Sequence, residues 1–300
     1  MTIVTGVDVG GSKTTTLVGS AESVSGEATG PGAAIRPGRA LASVAPIAEC
    51  IRQALARAGV LRADALVIGA AGAGHATERG ELAQAMRSED LAGHLRVTTD
   101  LEIALVAAFG DQRGIVLSAG TGSAAVGRDS TGTIHRSGGY GWQMGDEGSG
   151  YALGQAALGA VGRANDGRAQ TTALTEGLLE ATRCRDFGAL VRWASTATPG
   201  AVASLARAVL KAAAEGDEVA TALVDQASLD LARLAESMLS HFGADEPVPL
   251  VLHGGVLRPG DPLRDATLAA LRTTDRFQVE DRTIEPARGA LVLAEALLEE

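Results

Sequence analysis

The sequence predicts an α/β protein built from two related domains. Three observations predict it. Hydrophobic residues make up 46% of the 300 residues and charged residues 21%, which suits a folded chain with a sizeable core. Short β-branched runs alternate with stretches of three- and four-residue apolar spacing, so strands and helices are mixed along the chain. One unit recurs: Gly6-VDVGGSKTTTLV-Gly19 and Gly114-IVLSAGTGSAAV-Gly127 are strand–turn–strand segments of equal length. A duplicated hairpin implies two related domains with a cleft between them.

The elements follow in order. Ile3 to Val9 and Thr14 to Val18 flank a glycine turn and read as a hairpin. A third strand runs near Ser23 to Ala28, and Gly30-Pro31-Gly32 breaks it. Ala40 to Ala58 reads as a helix with Leu41, Val44, Ile47, Ile51 and Leu55 on one face, ended by Gly59. Ala65 to Ala70 is a buried strand running into Gly72-Ala73-Gly74, and Glu81 to Met86 is helical. Leu95 to Thr98 is a short strand ending at Asp100, and a helix begins near Glu102. Gly114 to Ser118, Ser123 to Val126 and Thr133 to His135 are strands of the second domain. After Gly150 the chain turns mostly helical. Val219, Leu223, Ala227, Leu231, Leu234, Met238 and Phe242 share one face of a long helix. Pro247 to His253 is a strand, and helices at Pro262 to Leu271 and Pro286 to Leu298 close the chain.

Composition excludes several function classes. The net charge of -10 argues against nonspecific nucleic-acid binding, which needs a cationic face. Cys50 and Cys184 form neither a CxxC pair nor a zinc spacing, and read as reduced thiols. The N-terminus lacks the features of a signal peptide, and no apolar run reaches a membrane span, so a cytoplasmic protein without membrane partners is expected. His75, His94, His135, His241 and His253 show no metal-ligand spacing, and Trp193 reads as core.

Three glycine turns are candidates for holding a nucleotide. In Asp8-Val-Gly-Gly-Ser-Lys-Thr-Thr15, glycines let backbone N–H groups face an anion. Ser12, Thr14 and Thr15 add hydroxyls and Lys13 a positive charge. The spacing is not GxxxxGK[ST], and a strand rather than a helix follows. Asp8 at the strand end suits Mg²⁺, which takes one or two carboxylates plus waters and phosphate oxygens. Ser118-Ala-Gly-Thr-Gly-Ser123 repeats the loop chemistry, and Gly254-Gly255 forms a third turn after a buried strand. No GxGxxG sits at a strand-to-helix junction and no GxSxG is present.

Two segments carry candidate chemistry. Asp100 ends a strand, where a carboxylate can take the proton of an attacking hydroxyl. The same residue equally suits the N-cap of the following helix. Gly138-Gly-Tyr-Gly-Trp-Gln-Met-Gly-Asp-Glu-Gly-Ser-Gly150 combines many glycines with Tyr140 and Trp142, as a loop approaching a ligand closely would. Asp146 can bind sugar hydroxyls there, and Glu147 suits a helix N-terminus.

Together these segments resemble the N-acetylglucosamine kinase family and its BadF/BadG-type ATPase relatives, in the actin–Hsp70–hexokinase superfamily. The resemblance rests on GVDVGGSKT at 6–14, TTD at 98–100, LSAGTGS at 117–123, GGYGWQMGDEGSG at 138–150 and LHGGV at 252–256, and spans nearly the whole chain in order. It implies two RNase H-like domains around a nucleotide cleft: residues 1–112, completed by 286–300, and residues 113–285. It implies MgATP and phosphorylation of an amino sugar on its 6-hydroxyl, with Asp100 as general base. Gly10, Gly11, Ser12, Lys13 and Thr14 then line one phosphate loop, and Gly120, Thr121 and Gly122 the other. Gly139, Tyr140 and Asp146 border the sugar, Gly254 and Gly255 approach adenosine, and a homodimer is expected. One departure concerns the acceptor. Ala34 stands where relatives often carry a sugar-binding Asn, which leaves N-acetylglucosamine, glucosamine or another amino sugar open.

Two rival readings fit the residues less well. A BadF-type activator bridges an iron–sulfur cluster through cysteines, but Cys50 and Cys184 fall in different domains and in no glycine-rich loop. A sugar-sensing regulator usually carries a helix-turn-helix, and the chain opens directly on its first strand.

Overall fold

The computed structural model describes residues 2–244 and 246–299. The chain divides into two compact units, Met1–Gln112 with Thr283–Glu300, and Arg113–Arg282.

The first unit is a five-stranded sheet. Its strands are β1 (Val4–Val9), β2 (Lys13–Gly19), β3 (Val24–Pro31), β4 (Ala63–Ala70) and β5 (Ala92–Thr99), in the order β3-β2-β1-β4-β5. β1 pairs antiparallel with β2 and parallel with β4, and β4 pairs parallel with β5. Helices α1 (Val44–Arg57), α2 (Ala76–Arg87) and α3 (Asp100–Phe109) connect or follow the strands. The apolar runs of β1 and β4 are explained by burial on both faces. Val7, Val9, Leu66 and Ile68 face Ile47, Ile51 and Leu82 on one side. Val4, Ala65 and Val67 face Ile103, Ala290 and Leu291 on the other.

The helix Pro286–Ala296 belongs to this second face, and Gly6 lets it approach. A Cβ on Gly6 would lie 2.4 Å from the Ala287 carbonyl oxygen and 2.6 Å from the Leu291 nitrogen. Backbone cannot yield as a side chain can, so Gly6→Ala is expected to destabilise the fold by about 1–3 kcal/mol. The midpoint of chemical denaturation measures this.

Three sequence expectations are corrected here. β3 continues through Gly30 to Pro31. It is an edge strand, and its terminal proline removes no needed donor. The predicted helix at Ala40 to Ala58 begins as a 3-10 turn, Ala40–Ser43, and is α-helical only from Val44. Pro46 has no N–H for a bond to an earlier turn, so it belongs in the first turn of the helix. Leu41 consequently lies 64% exposed and does not join the apolar stripe.

The second unit repeats the topology. Its strands are β6 (Gly114–Ala119), β7 (Ser123–Arg128), β8 (Ile134–Gly138), β9 (Val248–His253) and β10 (Phe277–Val279), in the order β10-β9-β6-β7-β8. β6 is antiparallel to β7 and parallel to β9, as β1 is to β2 and β4. The repeated hairpin of the sequence is therefore a repeated fold. Seven helices are described between β8 and β10: α4 (Gly150–Asn165), α5 (Leu174–Thr182), α6 (Phe187–Thr196), α7 (Pro199–Ser204), α8 (Ala206–Ala214), α9 (Glu218–Met238) and α10 (Pro262–Leu271). They cover Ile115, Leu117, Leu250 and Leu252 of the sheet. The buried stripe of α9 starts at Ala220 and Val224, leaving Val219 and Leu223 partly covered. Trp193 packs against this core, as expected. β10 has only three residues, too few to show an alternation. Among the described residues no helix is long and apolar enough to cross a membrane.

Candidate functional site

In the first unit, the parallel strands bring two distant carboxylates to one edge of the sheet. Asp8 is level with Gly69, and Gly69 with Thr98. Asp100 follows the last paired residue of β5 directly, as the first residue of α3. Both therefore lie at the carboxyl ends of parallel strands, where α/β folds place their ligands. The two charges feel each other. Burial pushes the Asp8 carboxyl up to about 7, the negative charge of Asp100 adds to the rise, and the Lys13 ammonium opposes it.

The structure separates the two roles that the sequence left open for Asp100. The helix cap is Thr99, whose backbone is extended and whose hydroxyl accepts the Glu102 N–H at 3.1 Å. Asp100 is already inside the helix and is not its cap.

The loop between β1 and β2 is closed by the Gly10 N–H donating to the Lys13 carbonyl at 2.9 Å. Gly11, Ser12 and Lys13 are exposed there. Thr14 and Thr15 are buried, and the Thr14 hydroxyl donates to the Pro31 carbonyl at 2.8 Å. Thr14 thus holds β3 to the loop from within. Beyond Pro31 the chain crosses the same edge. The Ala33 N–H donates to the Gly10 carbonyl at 3.2 Å, and the Ile35 N–H to the Ala71 carbonyl at 2.8 Å. Half-buried Ala34 sits between these anchors.

In the second unit, three segments far apart in sequence converge on the end of β6. The loop Gly120–Gly122 closes on itself through Gly120 N–H to Gly122 C=O, 2.8 Å. The start of α4 is stitched to it: Gly150 N–H donates to Gly120 C=O at 2.8 Å and Tyr151 N–H to Thr121 C=O at 3.2 Å. Ser123 donates its N–H to Asp146 Oδ1 at 3.3 Å and its hydroxyl to the Glu147 carbonyl at 2.6 Å. Gly122 leaves room for this, since a Cβ there would lie 2.8 Å from the Asp146 carboxylate oxygens. Asp146 is buried in the left-handed region at φ 63°. Burial raises its pKa, the Ser123 N–H opposes the rise, and Glu147 adds to it. The third turn joins through the Val256 N–H, which donates to the Ala119 carbonyl at 3.3 Å, with Gly254 packed on Ala119 and Gly255 beside it.

Tyr140 and Trp142 are exposed, at 63% and 46%. The Arg136 guanidinium lies over the Tyr140 ring, 5.6 Å from its centre. Trp142 leans on Tyr151 in the first turn of α4, with ring centres 5.3 Å apart. Gly139 lies against β7, where a Cβ on it would come within 3.1 Å of the Ala124 Cβ.

The donor set fits a hard cation. Asp8 is a desolvated carboxylate facing a second carboxylate, and Mg²⁺ needs only one or two such groups beside waters and phosphate oxygens. Among the described residues no group of three or more His, Cys, Asp or Glu side chains forms a metal cluster. Sequence reasoning missed Thr99 as the cap. The Thr-x-x-Glu spacing of residues 99–102, a capping-box pattern, was the available signal.

Two five-stranded sheets of one topology, each with a glycine hairpin at its centre, define an α/β protein of the RNase H-like, actin/hexokinase type. The chain belongs to the BadF/BadG/BcrA/BcrD ATPase family, whose model matches residues 5–294. It is 29% identical over 252 residues, 82% of each chain, to an N-acetylmuramic acid/N-acetylglucosamine kinase of Clostridium acetobutylicum. It is 32% identical over 187 residues to an N-acetyl-D-glucosamine kinase of Dictyostelium discoideum, covering 60% of this chain and 59% of the relative. A candidate N-acetylglucosamine kinase of known structure from Chromobacterium violaceum superposes with a TM-score of 0.82 at 30% identity, covering 98% of this chain and 99% of the other.

Proposed function

We propose that this chain is an ATP-dependent sugar kinase that phosphorylates the 6-hydroxyl of an amino sugar, N-acetylglucosamine or a close relative of it. The observation that carries the reading is the pairing of Asp8 and Asp100 at one sheet edge, with Thr99 rather than Asp100 serving as the helix cap. Both relatives with matching sequences are named as kinases of N-acetylglucosamine, which supports the acceptor class.

Asp100 accepts the proton of the sugar 6-hydroxyl as its oxygen attacks the γ-phosphorus. The bond from that phosphorus to the β-phosphate bridging oxygen breaks, and ADP leaves. Gly10, Gly11, Ser12 and Lys13 offer N–H groups, a hydroxyl and an ammonium to phosphate oxygens, with Thr14 holding the loop in shape. Gly120, Thr121 and Gly122 offer the same loop chemistry to phosphate, and Gly254 and Gly255 suit an approach to adenosine. Gly139, Tyr140 and Asp146 serve the sugar. Asp8 would hold Mg²⁺, which when bound neutralises charge developing on the phosphates.

The activator reading has little physical support. Cys50 is fully buried in the first unit, where its sulfur accepts the Thr16 hydroxyl at 3.3 Å. A thiol so placed does not reach a surface cluster.

ADP release with N-acetylglucosamine, glucosamine, N-acetylmuramate, glucose and no acceptor tests the reading. An amino sugar is expected to raise the rate at least tenfold above the acceptor-free control. Equal rates across the panel would remove the kinase assignment. Ala34 bears on which sugar wins. An alanine leaves a sugar hydroxyl without the hydrogen bond an amide would give, a loss of about 0.5–1.5 kcal/mol. Ala34→Asn is therefore expected to lower KM for N-acetylglucosamine several-fold, measured with the same assay.

A further inference from the structure

Asp100 stands at a junction with no linker. β5 ends at Thr99 and α3 begins at the next residue. The direction of the Asp100 side chain is therefore set by the angle and rotation at which the helix leaves the strand. β5 is also an outermost strand, paired only with β4, and its last pair is Ala70 with Thr99. The junction has sheet support on one side only.

Three hydrogen bonds converge on one residue just past it. The Glu102 N–H donates to the Thr99 hydroxyl at 3.1 Å. Glu102 Oε1 accepts from Arg96 Nη2 at 2.6 Å, and Glu102 Oε2 accepts from the Thr98 hydroxyl. Residues 99–102 have the Thr-x-x-Glu pattern in which the glutamate usually turns back to the backbone of its own cap. Here the carboxylate is bonded instead to two side chains of the strand. Arg96 and Thr98 lie two apart and so share a face of β5. The bonds tie the first turn of α3 to the strand across the peptide that carries Asp100. Thr98 is buried, Glu102 is half-buried and Arg96 is partly exposed. A partly exposed ion pair adds little to stability, so the geometry of this clamp is better accounted for by what it aligns.

We infer that Glu102 is a positioning residue for Asp100, holding the carboxylate in line with the acceptor hydroxyl through Arg96 and Thr98. The inference rests on the reading of Asp100 as general base. Ile103 anchors the helix to the sheet, its side chain lying against Gly69, so without Glu102 the helix stays docked while its first turn is free to rotate. A misplacement of about 1 Å at a reacting group can cost on the order of a hundredfold in rate.

The test compares Glu102→Ala, Glu102→Gln, the double variant Arg96→Ala/Glu102→Ala and Asp100→Asn. Rates are taken per ATP-binding site, counted by nucleotide titration. Glu102→Ala is expected to lower kcat roughly tenfold to a hundredfold, with KM for ATP and for the sugar changed less than about threefold. Glu102→Gln keeps an acceptor oxygen for Arg96 or Thr98 and should recover most of the rate. The double variant should be no slower than Glu102→Ala, because the two residues act as one unit. A wild-type kcat in Glu102→Ala overturns the inference. So does a Glu102→Gln variant as slow as the alanine, or a rate loss matched by a loss of ATP-binding sites. A wild-type kcat in Asp100→Asn instead overturns the base assignment itself, which separates the two failures.

Discussion

Asp100→Asn is expected to lower kcat by roughly two to four orders of magnitude, the range that a positioned general base supplies. Asparagine has the same shape but no lone-pair charge to take the acceptor proton. The cap of α3 belongs to Thr99, so the helix start survives the change. The negative charge lost near the helix N-terminus accounts for about 0.3–1 kcal/mol of stability. ATP affinity, measured by calorimetric titration, should remain within a few-fold of wild type. Loss of rate with retained nucleotide binding is the pattern of a group acting in the chemical step. A turnover within tenfold of wild type would mean that the acceptor loses its proton to water or to another residue. A second effect follows from the same substitution. The charge of Asp100 helps to raise the Asp8 pKa, so in Asp100→Asn the Asp8 carboxyl should ionise at lower pH.

The fold was legible where one physical signal dominated. β1 and β4 are buried on both faces and read as apolar runs, and the repeated hairpin pointed to a repeated topology that the two sheets display. Legibility ended where a residue's role depends on a partner far away in sequence. Thr14 offers a hydroxyl beside a glycine turn, and residue type alone marked it for phosphate. Its pairing with Gly30 across β2 and β3 turns that hydroxyl to Pro31 instead. Asp100 and Thr99 can each cap a helix, and only the backbone at residue 99 decides between them. Asp146 was singled out for its glycine-rich surroundings. Its contact with Ser123 and Gly122 depends on a left-handed residue closing the chain back onto an earlier loop, which no periodicity records. The shortfall at α9 has a different cause. Alanines fill much of its buried face, so the larger residues beside them, Val219 and Leu223, give a misleading stripe.

Asp8→Asn should separate stability from activity with opposite signs. The folded pKa of Asp8 is raised from 3.8 to about 7, so the unfolded chain releases this proton at lower pH than the native one. Between these values the native state binds more protons, and stability falls as pH rises. The contribution is fully present below about pH 4, erodes up to about pH 7, and above that the native protein carries a desolvated carboxylate beside a second one. The shift corresponds to at most about 4 kcal/mol, since each pKa unit is about 1.4 kcal/mol. Asparagine removes the titration. Calorimetry should therefore find Asp8→Asn more stable than wild type at about pH 8, with the difference shrinking toward about pH 5. Mg²⁺ with ADP should narrow the gap at the higher pH by stabilising wild type alone. Turnover should fall by roughly two to three orders of magnitude, the cost of removing a preorganised charge contact to the reacting phosphates. A residue that weakens the fold in the pH range where enzymes work, yet whose removal sharply lowers turnover, is held in place by function rather than by packing. A variant less stable than wild type at about pH 8 would reverse this conclusion, because Asp8 would then support the sheet edge instead of straining it.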